Sequence, residues 1–132
     1  MARLIGINHV ALEVGDLDEA LAWYGQFFEL ATVDLSERDI GMAFVEMGDQ
    51  FIAFAEIKEP HRDAERHFGL VVDVDKPTMR AALEAGGVEV TPAPNCTFRD
   101  PWGNAVQVVC YDDIKFEKSE RWARELGLTD GG

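Results

Sequence analysis

The chain has 132 residues and a formal net charge of −13, from 25 acidic and 12 basic residues. This excess of negative charge argues against partners with a phosphate backbone or an anionic membrane surface. The length suits one compact domain with a core of its own, and no stretch approaches the roughly 20 apolar residues of a membrane span. We therefore expect a single domain over residues 1–132, with no nucleic acid and no membrane as partner.

The cysteines indicate a reducing compartment. Cys96 and Cys110 are the only two, and they lack the close spacing of a redox pair or a thiolate metal site. The N-terminus has neither a sustained apolar run nor the small-residue cleavage site of a secretion signal. We expect a cytoplasmic protein whose two thiols are free and pack as small apolar side chains.

The first 28 residues predict a strand followed by a helix. Apolar residues alternate from Ile5 to Val14, as in a strand that packs one face on a core. Asp16 has the position of a helix N-cap, with Glu19 three residues later. The helical spacing of apolar residues then continues over 17–28.

Three shorter strands and a charged segment follow this helix. The strands are expected near 31–36, 40–47 and 50–57, and a Gly-Asp pair marks a hairpin turn between the last two. Residues 58–66 break the apolar pattern with charges of both signs. We interpret them as a linker.

The second half of the chain repeats the order of elements. A strand is expected at 67–74 and a helix over 76–85, with Asp75 as its N-cap. Two short strands, a type I turn at 100–103 and a last strand come next. The tail from residue 112 predicts a short helix within the stretch SERWAREL.

The two halves align as an internal repeat. The first strands of the halves align with an offset of 58 residues, which places His9 on His67. The last strands align with an offset of 54 residues, which places Ala53 on Gln107. A unit of this size needs a second layer or a partner to cover both faces of its sheet.

The repeat predicts an α+β fold of two βαβββ modules, whose paired mixed sheets surround a concave cleft. The first module is expected over 4–57 and the second over 67–111. Residues 58–66 form the linker between them, and residues 112–132 form the tail with its short helix.

Strand parity predicts which side chains line the cleft. In each strand the larger apolar residues face the helix, so the alternate residues face the cleft. The cleft residues that carry ligand atoms are His9, His67 and Gln107. Those that leave room for a ligand are Ala11, Ala53, Ala55, Gly69, Val71 and Val109.

These motifs resemble those of the vicinal oxygen chelate superfamily, which contains glyoxalase I, extradiol dioxygenases, fosfomycin resistance enzymes and bleomycin-binding proteins. The stretch INHVALEVGDLDEALAWYGQFF resembles its opening motif, HFGLVVDV the start of its second module, and FRDPWGNAVQVV its closing strand. The resemblance covers about residues 4–111. It implies the paired-module fold, a small oxygen-chelating ligand and a homodimer.

In the metal-dependent members of this superfamily, four strand positions supply ligands to one divalent ion. Carried over to this chain, the resemblance implies His9, Ala53, His67 and Gln107 at these positions, with Fe, Mn, Ni or Zn as the ion. Gln107 stands where a glutamate is usual, and Ala53 has no ligand atom, so the set is incomplete.

Three hypotheses about function remain open. The first is a metal-dependent lyase or dioxygenase-like enzyme; glyoxalase I activity itself would require another acid, such as Glu46 or Glu56, to reach the cleft. The second is a metal-free protein that binds a small molecule or drug, as bleomycin-binding proteins do. The third is that the two matched histidines hold no metal and the function lies elsewhere. His61, in the linker, is interpreted as a solvated loop residue.

Overall fold

The computed structural model describes residues 7–48, 50–62 and 66–110, together with Met1. Within these residues the chain forms two α-helices and two mixed sheets, so the predicted α+β class is confirmed. The elements are β1 (His9–Val14), α1 (Leu17–Tyr24), β2 (Thr32–Asp34), β3 (Met42–Met47), β4 (Gln50–Glu56), β5 (Phe68–Val72), α2 (Lys76–Ala85), β6 (Thr97–Arg99) and β7 (Ala105–Cys110).

Each sheet belongs to one half of the chain. The first sheet has the strand order β1-β4-β3-β2, in which β1 and β4 are parallel and the other pairs antiparallel. The second has the order β5-β7-β6, in which β5 and β7 are parallel. This topology is consistent with the two βαβββ modules predicted from the repeat.

The register of the strands confirms the alignment of the two halves. In the first sheet Ala11 lies opposite Ala53, and in the second sheet Gly69 lies opposite Gln107. These four residues are related by the two offsets that the sequence repeat requires. The modules are therefore equivalent in strand register as well as in strand order.

The second helix has the bounds that the sequence predicts. It runs over Lys76–Ala85, and the Asp75 side chain accepts the Thr78 N–H at 2.8 Å. Asp75 is thus the N-cap, and hydrogen bonds from the Thr78 side chain and then from its backbone N–H hold the pKa of the Asp75 carboxyl below the ordinary value.

The first helix is shorter than predicted. It begins at Leu17 after its Asp16 cap but ends at Tyr24, whereas apolar spacing extends the prediction to residue 28. The N–H groups of Gln26 and Phe27 bond to the carbonyls three residues earlier, those of Trp23 and Tyr24, so the chain tightens into turns instead of continuing the α-helix. The rings of Phe27 and Phe28 still pack on the core from these turn positions, which is why their spacing resembled helix.

Two expected strands are also reduced in the structure. Residues Arg38–Ile40 form a 3-10 helix ahead of β3. Of the short strand expected after α2, only Val90 pairs, in a single bridge to Phe98. The start of the first predicted strand and the predicted tail helix lie outside the described residues.

One hydrophobic core serves both sheets. We call the face of each sheet that packs on this core its inner face and the opposite face its outer face. Helix α1 lies between the sheets: the Tyr24 ring is 5.2 Å from that of Phe54 in β4, and Trp23 is 5.9 Å from Phe98 in β6. The inner faces supply the buried residues Leu12, Val14, Ile52, Phe54, Leu70, Val106 and Val108. Both outer faces consequently point away from the common core.

A buried carboxyl group links the modules. Asp100, only 3% exposed, accepts hydrogen bonds from the backbone N–H of Trp102 and Asn104 and from the Tyr24 hydroxyl, the last at 3.0 Å. Burial, and then the nearby Asp100, raise the pKa of Tyr24 above its ordinary value. The turn predicted at 100–103 therefore also anchors α1 to the second module.

Candidate functional site

The outer face of the first sheet is ordered into rows by cross-strand pairing, because residues directly opposite each other share a face. The middle row is small and apolar apart from one ring, and each end row carries a glutamate. The rows are His9, Phe51 and Glu46; Ala11, Ala53 and Phe44; and Glu13, Ala55 and Met42.

His9 is held in one orientation at the end of its row. Its ring stacks on Phe51 with centroids 4.7 Å apart, and Nδ1 lies 2.9 Å from Asn8 Oδ1. Since an amide oxygen only accepts hydrogen bonds, Nδ1 is the donor, and in the neutral form of the ring the lone pair lies on Nε2. This arrangement presents Nε2 as a ligand atom for a metal ion or a small molecule.

The other two residues with ligand atoms belong to the second module. His67 is exposed and comes directly before β5, and Gln107 is half-buried in β7. Gly69 lies opposite Gln107, and a side chain there would come within 3.2 Å of Val109. The remaining cleft candidate of β5, Val71, is 55% exposed on the same outer face.

The fourth symmetry-related position differs sharply from its counterpart. Ala53 is 3% exposed, enclosed between Ala11 and Phe44 of the neighbouring strands. Gln107 keeps part of its surface accessible. Only one of these two positions is therefore suited to hold a polar ligand atom.

The donor set fits a transition metal, but it is divided between two sheets. Two imidazoles and an amide oxygen, from His9, His67 and Gln107, suit Fe, Mn, Ni or Zn. His9 and Gln107 lie on outer faces that both point away from the core. Among the described residues, no three His, Cys, Asp or Glu side chains form a group that would hold a metal ion.

Two acids named from the sequence as substitutes for the absent carboxylate lie in different places. Glu46 is on the outer face of β3, opposite Phe51. Glu56 Oε2 instead accepts the Leu17 N–H at 3.0 Å, so this side chain stabilises the start of α1. Glu46 is thus available to the outer face, and Glu56 is engaged elsewhere.

The contact between Glu13 and His61 did not follow from the sequence analysis. The Glu13 carboxylate accepts hydrogen bonds from the His61 backbone N–H at 3.1 Å and from its Nδ1 at 3.0 Å. The His61 ring is 84% exposed, as a solvated loop residue would be, but it has a fixed partner. Glu13 shares its parity with His9 and Ala11, and that parity is the signal that places it on the outer face.

A concavity lies between the modules on the side of the core. It is a groove of about 400 Å³, and it contains none of the three residues with ligand atoms. The side chains that enclose it are mainly apolar, among them Tyr24, Phe28, Phe54, Leu70, Val74 and Met79. The three residues with ligand atoms thus lie outside this groove, whereas Glu46 and Val71 contribute to its lining.

Comparison with known proteins identifies the family. The model of the Glyoxalase/Bleomycin resistance protein/Dioxygenase superfamily matches residues 6–108. The chain belongs to this superfamily. No curated protein sequence matches the chain, and none of the helices in the described parts is long and apolar enough to cross a membrane.

Solved structures with the same fold have varied activities. A lactoylglutathione lyase from Agrobacterium tumefaciens is 23% identical, with a TM-score of 0.65 over 87% of this chain and 100% of its own. A putative glyoxalase family protein from Bacillus anthracis is 22% identical, with a TM-score of 0.64 over 83% of this chain and 98% of its own. The fosfomycin resistance protein FosX from Listeria monocytogenes is 18% identical, with a TM-score of 0.63 over 82% of this chain and 94% of its own. At these identities the similarity establishes the fold and leaves the reaction to the site.

Proposed function

We propose that the chain acts as a homodimer with its ligand site between two copies. The outer face of the first sheet of one copy would oppose the outer face of the second sheet of its partner. The observation that carries this proposal is that both sheets share one core, so that His9 and Gln107 point away from it in a single chain. A second copy would bring such faces together, and a homodimer is the commonest oligomeric arrangement.

In this site His9, His67 and Gln107 would hold a divalent metal ion. When bound, the ion would be chelated by two neighbouring oxygens of a small substrate and would stabilise negative charge that develops on them. Asn8 orients the His9 ring, and the alanines of the middle and end rows leave space for the substrate. We propose a metal-dependent lyase or dioxygenase-like reaction on this substrate.

The alternative is a metal-free protein that binds a small molecule through the same faces. The observation that favours it is the lack of a carboxylate at both Ala53 and Gln107, since a carboxylate would offset the charge of the ion. In that case the histidines and the glutamine would form hydrogen bonds with the ligand.

Metal analysis separates these two functions. The untagged protein, purified and then reconstituted with Fe, Mn, Ni or Zn, should bind one ion per chain, and His9→Ala and His67→Ala should each lose it. His61→Ala is the matched control and should retain the metal. A wild-type protein that binds none of the four ions would refute the enzyme proposal and leave the metal-free alternative.

Mixing two variants tests whether the site lies between copies. In a mixed dimer of His9→Ala with His67→Ala, one of the two interfacial sites keeps both histidines. Random exchange of subunits should therefore restore metal to about a quarter of all sites. A site built within one chain would recover none.

A further inference from the structure

We propose that Glu13, held in place by His61, selects ligands that carry a hydrogen-bond donor, above all an ammonium group, at the end opposite to the oxygens that bind the metal. This inference rests on the proposed outer-face site and names the class of ligand that the site would accept. The ligand would chelate the metal with two oxygens at one end and place its donor at the Glu13 end.

The first step concerns the position of Glu13. It lies on the same strand and the same face as His9, four residues further along β1. At about 3.3 Å per residue the two backbone positions are about 13 Å apart. Between them the face is lined by Ala11 and Ala53, and Ala55 lies opposite Glu13. These small side chains leave room for the body of a ligand that spans this distance.

The second step concerns the charge of Glu13. The hydrogen bond from the His61 backbone N–H, followed by that from the His61 ring, holds the pKa of the Glu13 carboxyl below its ordinary value. The group is therefore an anion at neutral pH. About a third of its side chain, 37%, remains exposed in spite of the contact with His61.

The third step concerns the atoms that the pair presents. Because the carboxylate can only accept, Nδ1 of His61 is the donor, and in the neutral form of the ring Nε2 keeps a lone pair. Both Nε2 and the free lone pairs of the carboxylate are then acceptors. A ligand group that donates hydrogen bonds satisfies them, whereas an anionic group meets repulsion from Glu13.

The fourth step concerns rigidity. The backbone carbonyl of Glu13 accepts a hydrogen bond from Asn104 Nδ2 at 2.9 Å, and Asn104 is held in turn by the buried Asp100. Arg62, next to His61, donates to the Pro101 carbonyl at 3.3 Å. Strand β1 and the linker are thus fixed to the same turn, so the acceptor pair is positioned before a ligand arrives.

Two chelating probes of similar shape and opposite charge test the selection. Dopamine and 3-(3,4-dihydroxyphenyl)propanoate share a catechol, which offers two neighbouring oxygens to the ion, and differ in an ammonium or a carboxylate at the far end. Calorimetric titration of the zinc-loaded protein should give a dissociation constant about tenfold lower for the ammonium probe. Zinc is chosen because it does not oxidise the catechol.

Variants assign the preference to Glu13. Glu13→Gln should reduce the ratio of the two dissociation constants to about one while zinc content stays unchanged, and His61→Ala should reduce it in part, because the carboxylate loses its fixed position. Glu84→Gln is the matched control: it removes the same charge from an exposed position on α2 and should leave the ratio as in the wild type.

Each contrary result has a distinct meaning. A ratio that survives Glu13→Gln, or one that falls equally in Glu84→Gln, overturns the role of Glu13, because the total charge of the protein would then set the preference. A wild-type protein that binds both probes equally overturns it as well. A protein that loads zinc but binds neither probe overturns the proposed ligand site together with this inference.

Discussion

The two modules share strand order and register, yet they use matched positions differently. In the first module the position equivalent to Gln107 is Ala53, which its neighbours enclose. In the second module Gln107 faces Gly69 and stays partly accessible. Duplication of a unit therefore conserves the backbone frame, whereas the size of neighbouring side chains decides which copy retains a polar function.

The modules also differ around the turn before their last strand. Asp100, in the turn before β7, is buried and fully bonded, whereas Glu46, close to the turn before β4, is exposed on β3. Asp100→Ala should lower the free energy of unfolding by about 3 kcal/mol, because its hydrogen-bond donors would remain buried without a partner. Glu46→Ala should change it by less than about 0.5 kcal/mol. Urea titration of both variants measures the contrast, and equal losses would contradict it.

Introducing a glutamate at the two matched positions sharpens the comparison. Ala53→Glu should destabilise the fold by about 2 kcal/mol or more, because a carboxylate would enter an enclosed site. Gln107→Glu should leave stability nearly unchanged and tighten metal binding roughly tenfold, since the new charge offsets that of the ion. Thermal unfolding and competition with a chelator measure these effects. A well-tolerated glutamate at Ala53 would show that its burial does not limit the site.

The two helix caps provide a comparison in which the modules should agree. Asp16 and Asp75 each accept one backbone N–H at 2.8 Å from the residue three positions later. Asp16→Ala and Asp75→Ala should each cost about 1 kcal/mol. Asn at either position should restore most of the loss. Chemical denaturation at neutral pH measures both, and a difference of more than about 1 kcal/mol would mean that one cap also supports the interface between the modules.

The smallest expected effect is the pH dependence of the contact between Glu13 and His61. Among the described residues, the second module has no equivalent of this contact. The Glu13 carboxyl has a folded-state pKa below the ordinary value of 4.5. Its contribution is therefore complete above that value and is lost as the pH falls through the lower, folded-state pKa. The difference in Tm between the wild type and Glu13→Gln should be present at pH 7 and should disappear in strong acid. A constant difference would contradict the ionic character of the contact.

Much of the fold was available from the sequence because it depends on local patterns. Alternating apolar residues predicted β1 and β7, the acidic caps predicted the starts of both helices, and the repeat predicted the shared register. The errors arose where apolar residues serve the core from irregular backbone, as Phe27 and Phe28 do beyond the end of α1. Spacing alone does not distinguish such turns from a further helical turn.

The candidate site was only partly predictable. Parity placed His9, Ala11 and Gln107 on outer faces, because side chains alternate along a strand whatever the sheet packs on. Contacts that cross the chain were not available, above all that of His61 with Glu13 and that of Asp100 with Tyr24. Both join residues that are more than 45 positions apart, and no local pattern reports such distances.

By itself, the sequence determined the βαβββ modules, their family and the face of β1 on which His9 stands, since periodicity and repetition are properties of the chain. Only the tertiary structure decided how these faces relate to each other. The burial of both inner faces in one core turns His9 and Gln107 away from it, because a sheet that packs one face must present the other elsewhere. The pairing of strands also enclosed Ala53 between Ala11 and Phe44 on the outer face, and the fold brought the linker onto Glu13.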